Sequence, residues 1–317
     1  MSKSHYRVRN WKDYNKALKE RGSLTFWFSM EGVVEWTPPA STGKRGRSCY
    51  YSDVAITCAL TLKNVYRLPL RATEGMLRSL LDLLKLELSS PDYTTLCRRG
   101  KHLKIKLQAP SKEARHVLVD STGVRVMGER EWKKRLQGEG YKQQVWKKLH
   151  IAMDADQQMI LSAIMSDSVR LDCHYLPKLV AEIPESIDQI TGDGGYDKRC
   201  CYQVAYERKA RPVFPPQHDA AIQKNKIKKD PALVARDEVI RYLGRGEERP
   251  TQLKEWKKQR NYHRRSLVET MMGRMKSLFS DEIRSRCEAN QRVDLLIRCA
   301  AMNKITQQGM PHSMRVE

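Results

Sequence analysis

Hydrophobic residues follow a helical period in the first third of the chain and a strand period beyond residue 114. Between 71 and 86, apolar side chains recur every three or four positions, which predicts an amphipathic helix. The segment VAITCALTLKNVY, 54–66, predicts an earlier helix that Ser52 or Asp53 caps. The chain therefore begins with helices and continues as a mixture of strands and helices.

A break and a shorter basic helix follow the helix of 71–86. The break is SSPD, 89–92, where Pro91 suits a first helical turn. The next helix carries aromatic and basic side chains, namely Tyr93, Arg98, Arg99 and Lys101. A helix, a short turn and a basic helix form a helix-turn-helix shape, whose second helix can enter a major groove. Small helical packing domains show the same pattern, so both interpretations stay open.

Beyond residue 114, five short apolar runs predict strands. They are VLVD (117–120), VWKKLHIAMD (145–154), MILSAIMS (159–166), the run that ends at Asp193 and RPVFPP (211–216), with VRVM (124–127) as a candidate for one more. Helical patterns fall at 173–183, at 198–209 and from Tyr262 onward. Three antiparallel strands, then α-β-α-β, then a helix is the element order of an RNase H-like fold. We therefore predict an α/β fold with a mixed five-stranded sheet, flanking helices and a preceding helical domain.

The net charge of +22 results from 59 Lys and Arg against 37 Asp and Glu, and it indicates a polyanionic partner. Nucleic acid is the leading candidate, and its binding should weaken as salt rises. An anionic membrane surface is the rival, but no stretch approaches the roughly 18 uncharged apolar residues of a membrane span. The N-terminus also lacks an apolar signal core. We expect a cytoplasmic, nucleoid-associated protein that binds double-stranded DNA.

The eight cysteines show no local metal-binding spacing. No Cys-x2-Cys pair occurs, Cys200 and Cys201 are too close for a zinc knuckle, and Cys173-His174 has no second half at a zinc-finger distance. We therefore expect no structural zinc, and reduced, mostly buried thiols.

Two aspartates stand at the ends of predicted strands. Asp120 closes the run HVLVD, and Asp193 precedes Gly194-Gly195, where the missing side chains leave room for a metal or a phosphate. Glu269, on the predicted final helix, is a third candidate. Two strand-end aspartates and a helical glutamate are what a two-metal phosphoryl-transfer site requires.

The final helix carries a four-residue pattern in YHRRSLVETMMGRMK, 262–276. Tyr262, Arg265, Glu269 and Lys276 are spaced as Tyr-x2-Arg-x3-Glu-x6-Lys. At about 100° per helical residue, these positions share one face within an arc of about 60°, and the opposite face is apolar and suits packing on a sheet. Such a helix can bring a metal-binding carboxylate and phosphate-binding cations to one point. The plainer interpretation of the motif alone is a solvated helix with an Arg265–Glu269 pair.

These segments, in order, carry a family resemblance. VDSTG, WKKLH, TGDGGYD and YHRRSLVET resemble the segments of bacterial insertion-sequence transposases of the DDE class, in the insertion-sequence-five group. The similarity extends through 10–28, 68–99 and 300–311, and so covers nearly the whole chain. It implies an RNase H-like catalytic domain, Mg²⁺ dependence and recognition of terminal inverted repeats.

The resemblance also implies residue roles. It makes Asp120, Asp193 and Glu269 the catalytic and metal-binding triad, and it makes Tyr262, Arg265 and Lys276 part of a DNA-binding signature. We expect two Mg²⁺ ions, for which Mn²⁺ substitutes. Water would then cleave a phosphodiester at the element end, and the released 3′-OH would attack target DNA.

Two other function classes share these features. An RNase H-fold endonuclease would use the same carboxylates and would not join DNA, whereas a catalytically silent regulator would only bind it. A joining assay separates the first from a transposase, and Mg²⁺-dependent nicking separates the second. Because transposition brings two DNA ends together, we also expect a homodimer or a larger assembly.

Several residues outside the motif are further candidates for DNA contacts. Arg98 and Arg99 lie on the basic helix. Lys44 and Arg45 belong to the run KRGR, which suits either a phosphate-contacting arm or a flexible linker. Trp256, framed by lysines, suits either stacking on an unpaired base or the capping of a small local core.

The predicted domains follow the changes in pattern and charge. Residues 1–50 form a basic arm and a first helix, residues 51–113 form a helix-turn-helix-like DNA-binding domain, and residues 114–317 form the catalytic domain. A basic insertion at 217–261 interrupts the catalytic domain. Residues 220–265 hold 14 Lys or Arg against 6 Asp or Glu, so we expect the insertion to lie against DNA.

Overall fold

A computed structural model of the protein describes residues 5–28, 30–38, 50–107, 116–127, 145–223 and 230–316. The helices are α1 Trp11–Glu20, α2 Leu24–Trp27, α3 Met30–Val34, α4 Asp53–Val65, α5 Leu70–Leu83, α6 Tyr93–Gly100, α7 Leu176–Ala181, α8 Arg199–Glu207, α9 Val234–Leu243, α10 Arg249–Gln259, α11 Ser266–Phe279 and α12 Glu288–Gln308. The strands are β1 His5–Val8, β2 His116–Val126, β3 Val145–Asp154, β4 Ile160–Asp167, β5 Gln189–Thr191, β6 Arg211–Val213, β7 Glu282–Ile283 and β8 Ser313–Val316. The chain divides into two compact units, one of residues 1–106 with 284–317 and one of residues 107–283.

Helices dominate the first unit, and side-chain caps define where two of them begin. Ser52 caps α4 by accepting a hydrogen bond from the amide of Ala55 at 3.1 Å. Asp92 caps α6 by accepting from the amides of Thr94 and Thr95, both at 2.9 Å. Pro91 therefore lies just before the cap, and the prediction that it occupies the first helical turn is wrong.

The C-terminal helix α12 belongs to this helical unit, whereas the sequence placed everything after residue 113 in the catalytic domain. A buried ion pair joins α12 to α4, with Lys63 Nζ 2.7 Å from Asp294 Oδ1. The side chains of Asn64 and Ser285 also donate to the Asp294 carboxylate. The two helices lie more than 200 positions apart in sequence, so local pattern did not reveal their packing. β1 and β8 likewise pair antiparallel, and the sequence patterns predicted neither strand.

The second unit contains a mixed sheet in the order β4-β3-β2-β5-β6. β3 runs antiparallel to both β2 and β4, while β5 runs parallel to β2 and to β6. This is the predicted RNase H-like order, with the first strand of the fold beside the fourth. A sixth, two-residue strand, β7, pairs with the far end of β2. VRVM does not form a separate strand, because β2 continues unbroken from His116 to Val126.

Alternation along β2 assigns its side chains to two layers of helices. Val117 and Val119 belong to a core cluster that includes Leu176 of α7 and Cys201 of α8. Since successive strand residues point to opposite faces, Asp120 faces away from that cluster. α11 packs against β2 and buries an apolar stripe: Val268, Met271, Met272, Met275 and Phe279. The predicted packing of this helix on the sheet is confirmed.

Among the described helices, none has both the length and the apolar character needed to cross a lipid bilayer.

Two buried histidines of the sheet should make the stability of the protein depend on pH. Burial lowers the pKa of both His116 and His150 to about 4, against about 6.5 in an unfolded chain. As the pH falls, these two histidines are therefore protonated in the unfolded state before they are protonated in the folded state. The stability that these residues contribute is complete above about pH 6.5 and is lost as the pH falls toward 4.

At pH 5 we expect a loss of about 2 kcal/mol of unfolding free energy per histidine, measured by urea denaturation between pH 7.5 and pH 4.5. His150→Gln should flatten this dependence, while the same change at the exposed His218 should leave it unchanged. A wild-type stability that stays constant from pH 7 to pH 5 would contradict the prediction.

Candidate active site

Asp120 and Asp193 lie at the same edge of the sheet, because β2 and β5 are neighbouring parallel strands. The last paired residues of the two strands are Leu118 and Thr191. Each aspartate lies two residues beyond that pair, so the strand register places them side by side. We call Asp120, Asp193 and Glu269 the carboxylate cluster.

A tight turn orients Asp193. The residue caps the 3-10 turn Gly194–Tyr196, and its Oδ1 accepts a hydrogen bond from the amide of Gly195 at 2.9 Å. A Cβ atom added at Gly195 would lie 3.0 Å from the same carboxylate oxygen. A Cβ added at Gly192 would lie 2.7 Å from the Tyr196 ring. Glycine at both positions lets the chain turn tightly around the carboxylate.

Arg265 connects Glu269 to Asp120. Its Nη1 lies 3.0 Å from Asp120 Oδ2, and its Nη2 forms an ion pair with Glu269 Oε1. Asp120 and Arg265 are 145 positions apart in sequence. The Asp120 and Arg265 side chains are mostly buried, at 16% and 21% exposure, while Glu269 remains 52% exposed. One guanidinium thus joins the middle of β2, where the sequence predicted the end of a strand, to the first turn of α11.

The electrostatics of Asp120 reflect the rest of the cluster. Burial raises the pKa of Asp120, and the charges of Asp193 and Glu269 raise it further. The amide of Ser121 and the Arg265 guanidinium act in the opposite direction. Asp193 and Glu269 therefore both lie within electrostatic reach of Asp120.

The pattern predicted that the four signature residues lie on one continuous α-helix. The structure shows that they do not. Tyr262–Arg265 form a 3-10 turn, and α11 begins only at Ser266. Tyr262 still packs beside Arg265, whose guanidinium lies 5.9 Å from the Tyr262 ring centroid. Burial raises the pKa of Tyr262, and the nearby aspartates add to this effect. Lys276 lies two helical turns beyond Glu269, about 10 Å along the same face of α11.

The two arginines of the basic helix α6 differ in their surroundings. Arg98 is exposed. Arg99 instead forms an ion pair with Asp53 at 2.6 Å and donates to the carbonyl of Tyr51 at 2.8 Å. Arg98 is therefore available to a DNA ligand, while Arg99 would have to give up internal contacts. Lys44 and Arg45 lie outside the described residues.

Trp256 is a core residue and not a surface platform. It is only 4% exposed and packs in a small cluster with Val213 and Leu243. Trp256 is also one of the residues that line a pocket of about 290 Å³ between β6, α9 and α10. A side chain with this exposure offers no free face for a base, so the structure agrees with the capping interpretation and not with stacking.

Two polar networks near the site carried no signal in the sequence pattern. The first joins Asp172 to Ser121 Oγ and to Lys148 Nζ, both at 2.7 Å. Burial alone would raise the pKa of Asp172, but the hydrogen bonds from Lys148 and Ser121 lower it. Since Ser121 follows Asp120 along β2, this network supports the strand from the opposite face of the sheet.

The second network anchors the basic insertion. Asp197 accepts hydrogen bonds from Arg236 Nε at 2.7 Å, from Arg236 Nη2 at 3.1 Å and from the Tyr202 hydroxyl at 3.1 Å. Asp197 does not cap the following helix, because α8 begins after Lys198 without a side-chain cap. Asp197 instead holds α9 against the sheet unit.

Two family models, both described as "Transposase DDE domain", match the chain, one over residues 19–129 and the other over residues 111–304. The second match spans more than half of the chain. Among solved structures, the chain is similar to the cryo-EM structure of a piggyBac transposase synaptic complex with hairpin DNA, at 11% identity and a TM-score of 0.40. That alignment covers 96% of this chain and 76% of the other. The longer family match includes all three residues of the carboxylate cluster.

Proposed function

The chain belongs to the transposase family that carries the DDE domain, and from this premise we propose that Asp120, Asp193 and Glu269 are its catalytic carboxylates. The protein is a DNA transposase, an enzyme of the DDE class. The finer assignment to the insertion-sequence-five group is part of the proposal. The order of the segments VDSTG, TGDGGYD and YHRRSLVET along the chain supports this group assignment.

One observation carries the assignment of the residues. Arg265 bridges Asp120 and Glu269 from the start of the final helix of the sheet unit, while the register of β2 and β5 brings Asp193 beside Asp120. Acidic side chains far apart in sequence rarely converge at a strand edge without a chemical reason, since like charges repel. The convergence therefore supports a common role.

The donor set of the cluster fits a hard divalent cation. Its donors are carboxylate oxygens, which Mg²⁺ prefers, and Asp193 has no ion-pair partner in the described part of the chain. Arg265 thus leaves part of the negative charge of the cluster uncompensated. We propose that the cluster holds two Mg²⁺ ions, for which Mn²⁺ substitutes. Bound there, the cations would supply Lewis-acid stabilisation of the charge that develops on the phosphodiester.

The substrate in this proposal is the terminal inverted repeat of an insertion sequence. Hydrolysis of a phosphodiester at the element end leaves a 3′-OH, which then attacks a phosphodiester of target DNA at the same carboxylates. Arg265, Lys276 and Tyr262 would hold phosphates near the cut. Arg98 would contact DNA from the helical unit, and the basic insertion would lie along the element end. A homodimer or larger assembly in a bacterial cytoplasm would bring two ends together.

A joining assay tests the proposed function. Purified protein, Mg²⁺ and a labelled duplex that carries the inverted repeat should yield a nicked end. A precut end with a target plasmid should then yield joined product. Cleavage without joining would identify an endonuclease, and binding without either step would identify a silent regulator.

Arg265 also supports a prediction about metal binding. In the absence of DNA its guanidinium neutralises two of the carboxylates that the cations need, so it competes with them. Arg265→Met should therefore raise the affinity of the DNA-free protein for Mn²⁺ by about tenfold, or about 1.4 kcal/mol, in a titration followed by electron paramagnetic resonance.

The same variant should bind DNA ends more weakly. Lys276→Met is the matched control, because Lys276 lies on the same helix without contact to the cluster among the described residues. It should weaken end binding and leave Mn²⁺ affinity unchanged. Equal or weaker Mn²⁺ binding by Arg265→Met would show that the guanidinium does not compete with the metal.

A further inference from the structure

A second group of metal-ligating side chains lies on the other side of the sheet from the carboxylate cluster. Cys173 and His174 belong to the 3-10 turn Asp172–Tyr175, and Cys200 lies in the first turn of α8. One ligand atom from each of the three lies within 4.8 Å of the others. Cys173 is buried, Cys200 is half-buried and His174 is exposed. These side chains form a thiol and imidazole group that opens to solvent on the His174 side.

The chemistry of this group differs from that of the carboxylate cluster. Two thiolates and an imidazole are donors that zinc prefers, whereas Mg²⁺ takes oxygen ligands. In tetrahedral zinc sites the bond lengths place sulfur and nitrogen ligands about 3.5–3.8 Å apart. Side-chain rotations that move the ligand atoms by about 1 Å would bring the observed 4.8 Å group to that spacing.

The neighbouring Cys201 does not belong to the ligand set. Its Sγ lies 4.0 Å from the Cys200 Sγ, and both thiols donate to the carbonyl of Cys173 at 3.7 Å, but only the Cys201 side chain is fully buried. The ligand atoms that lie within 4.8 Å of one another come from Cys173, His174 and Cys200 and do not include the Cys201 thiol. Cys201 is thus a thiol beside the group that can serve as an internal control.

We propose that Cys173, His174 and Cys200 bind one Zn²⁺ ion, with a fourth coordination position open to water. The spacing of the cysteines did not reveal this site, because Cys200 joins Cys173 and His174 only through the packing of α8 on the turn. Seven cysteines are described, and the prediction that most thiols are buried is wrong, because only Cys173, Cys201 and Cys299 are buried. The half-buried Cys200 thiol is therefore accessible to a metal.

The site joins two segments that flank the catalytic carboxylates. The turn at 172–175 holds Asp172, which accepts a hydrogen bond from Ser121 next to Asp120. α8 follows directly after the turn that orients Asp193. A zinc ion between these segments would restrain both strand-end loops. Because the ligands must lose their protons, zinc affinity should rise with pH.

Metal analysis tests this inference independently of transposition. Full-length protein purified in reducing buffer and given one equivalent of Zn²⁺ should retain about one zinc per chain after gel filtration. Co²⁺ in its place should give thiolate-to-cobalt charge-transfer absorption. Cys173→Ser and Cys200→Ser should each lose the zinc and the absorption band, whereas Cys201→Ser and the distant Cys299→Ser should retain both.

Two further variants keep the test decisive. His174 is exposed, so His174→Ala should fold normally and lower zinc affinity by at least tenfold. Asp193→Asn should retain zinc even where it abolishes cleavage, which separates this site from the carboxylate cluster. Absence of zinc from reduced wild-type protein, retention of zinc by Cys173→Ser and Cys200→Ser, or equal loss in Cys201→Ser would each overturn the proposal.

Discussion

Asp193→Asn is expected to reduce cleavage of the element end by about 1000-fold or more, which corresponds to about 4 kcal/mol of transition-state stabilisation. The amide keeps the shape of the side chain and its hydrogen bond from Gly195, and it removes the negative charge that we propose binds a divalent cation. Asp120→Asn and Glu269→Gln should cause losses of the same order if the three carboxylates act as the proposed catalytic unit. Strand transfer from a precut end should fall together with cleavage.

The measurement separates chemistry from binding. Initial rates of nicking should fall in all three variants, while the affinity for the DNA end measured in Ca²⁺ or EDTA should change by less than about tenfold. Asp167→Asn is the matched control, since Asp167 also ends a strand of the sheet but forms a surface ion pair with Lys147. It should cleave at nearly the wild-type rate. Full cleavage by Asp193→Asn would dismiss the assignment of the triad.

Arg236→Ala is expected to destabilise the protein by about 3 kcal/mol, because it leaves the Asp197 carboxylate buried without its cation. The Asp197 side chain is 1% exposed and that of Arg236 is 18% exposed. We expect the lower end of the range for buried pairs, since the Tyr202 hydroxyl and the amide of Gln217 still donate to the carboxylate. Helix α9 should then detach more readily from the sheet unit.

Urea denaturation measures the loss, and limited proteolysis shows where it occurs. Faster cleavage should map to the basic insertion. Arg241→Ala is the control, because Arg241 lies exposed on the same helix and exposed charges usually change stability by less than about 0.5 kcal/mol. A stability of Arg236→Ala within that margin of wild type would mean that the ion pair contributes nothing to anchoring α9.

The longer strands of the sheet could be predicted from the sequence pattern, whereas the shortest strands could not. β3 and β4 were predictable almost to the residue, because two apolar runs flank a polar loop. β7 has only two residues, which is too short for a periodic pattern. β1 and β8 lie at opposite ends of the sequence and pair only with each other, so the local sequence of neither strand predicts the pairing. Short strands depend on a partner that the local sequence does not name.

The candidate site also has features that the sequence predicted and features that it did not. The residues of the carboxylate cluster were predicted from their motifs, but the strand end expected at Asp120 is wrong, because β2 continues to Val126. The continuous helix expected from Tyr262 was wrong for the first four residues, which form a 3-10 turn. Trp256 was equally ambiguous, since lysines surround it in the sequence while apolar residues surround it in space.

The sequence by itself determined the helices between residues 53 and 100, the order of the five main sheet strands, the excess of positive charge and the motifs that place the chain in its family. Periodicity, charge and motif order are local or additive properties, so they can be read without coordinates. Only the tertiary structure decided that Arg265 bridges Asp120 and Glu269, that Arg236 neutralises Asp197, that α12 packs in the helical unit, and that Cys200 approaches Cys173 and His174. Each of these contacts depends on how strands and helices pack together, because residues far apart along the chain meet only when the burial of apolar faces brings their elements into contact.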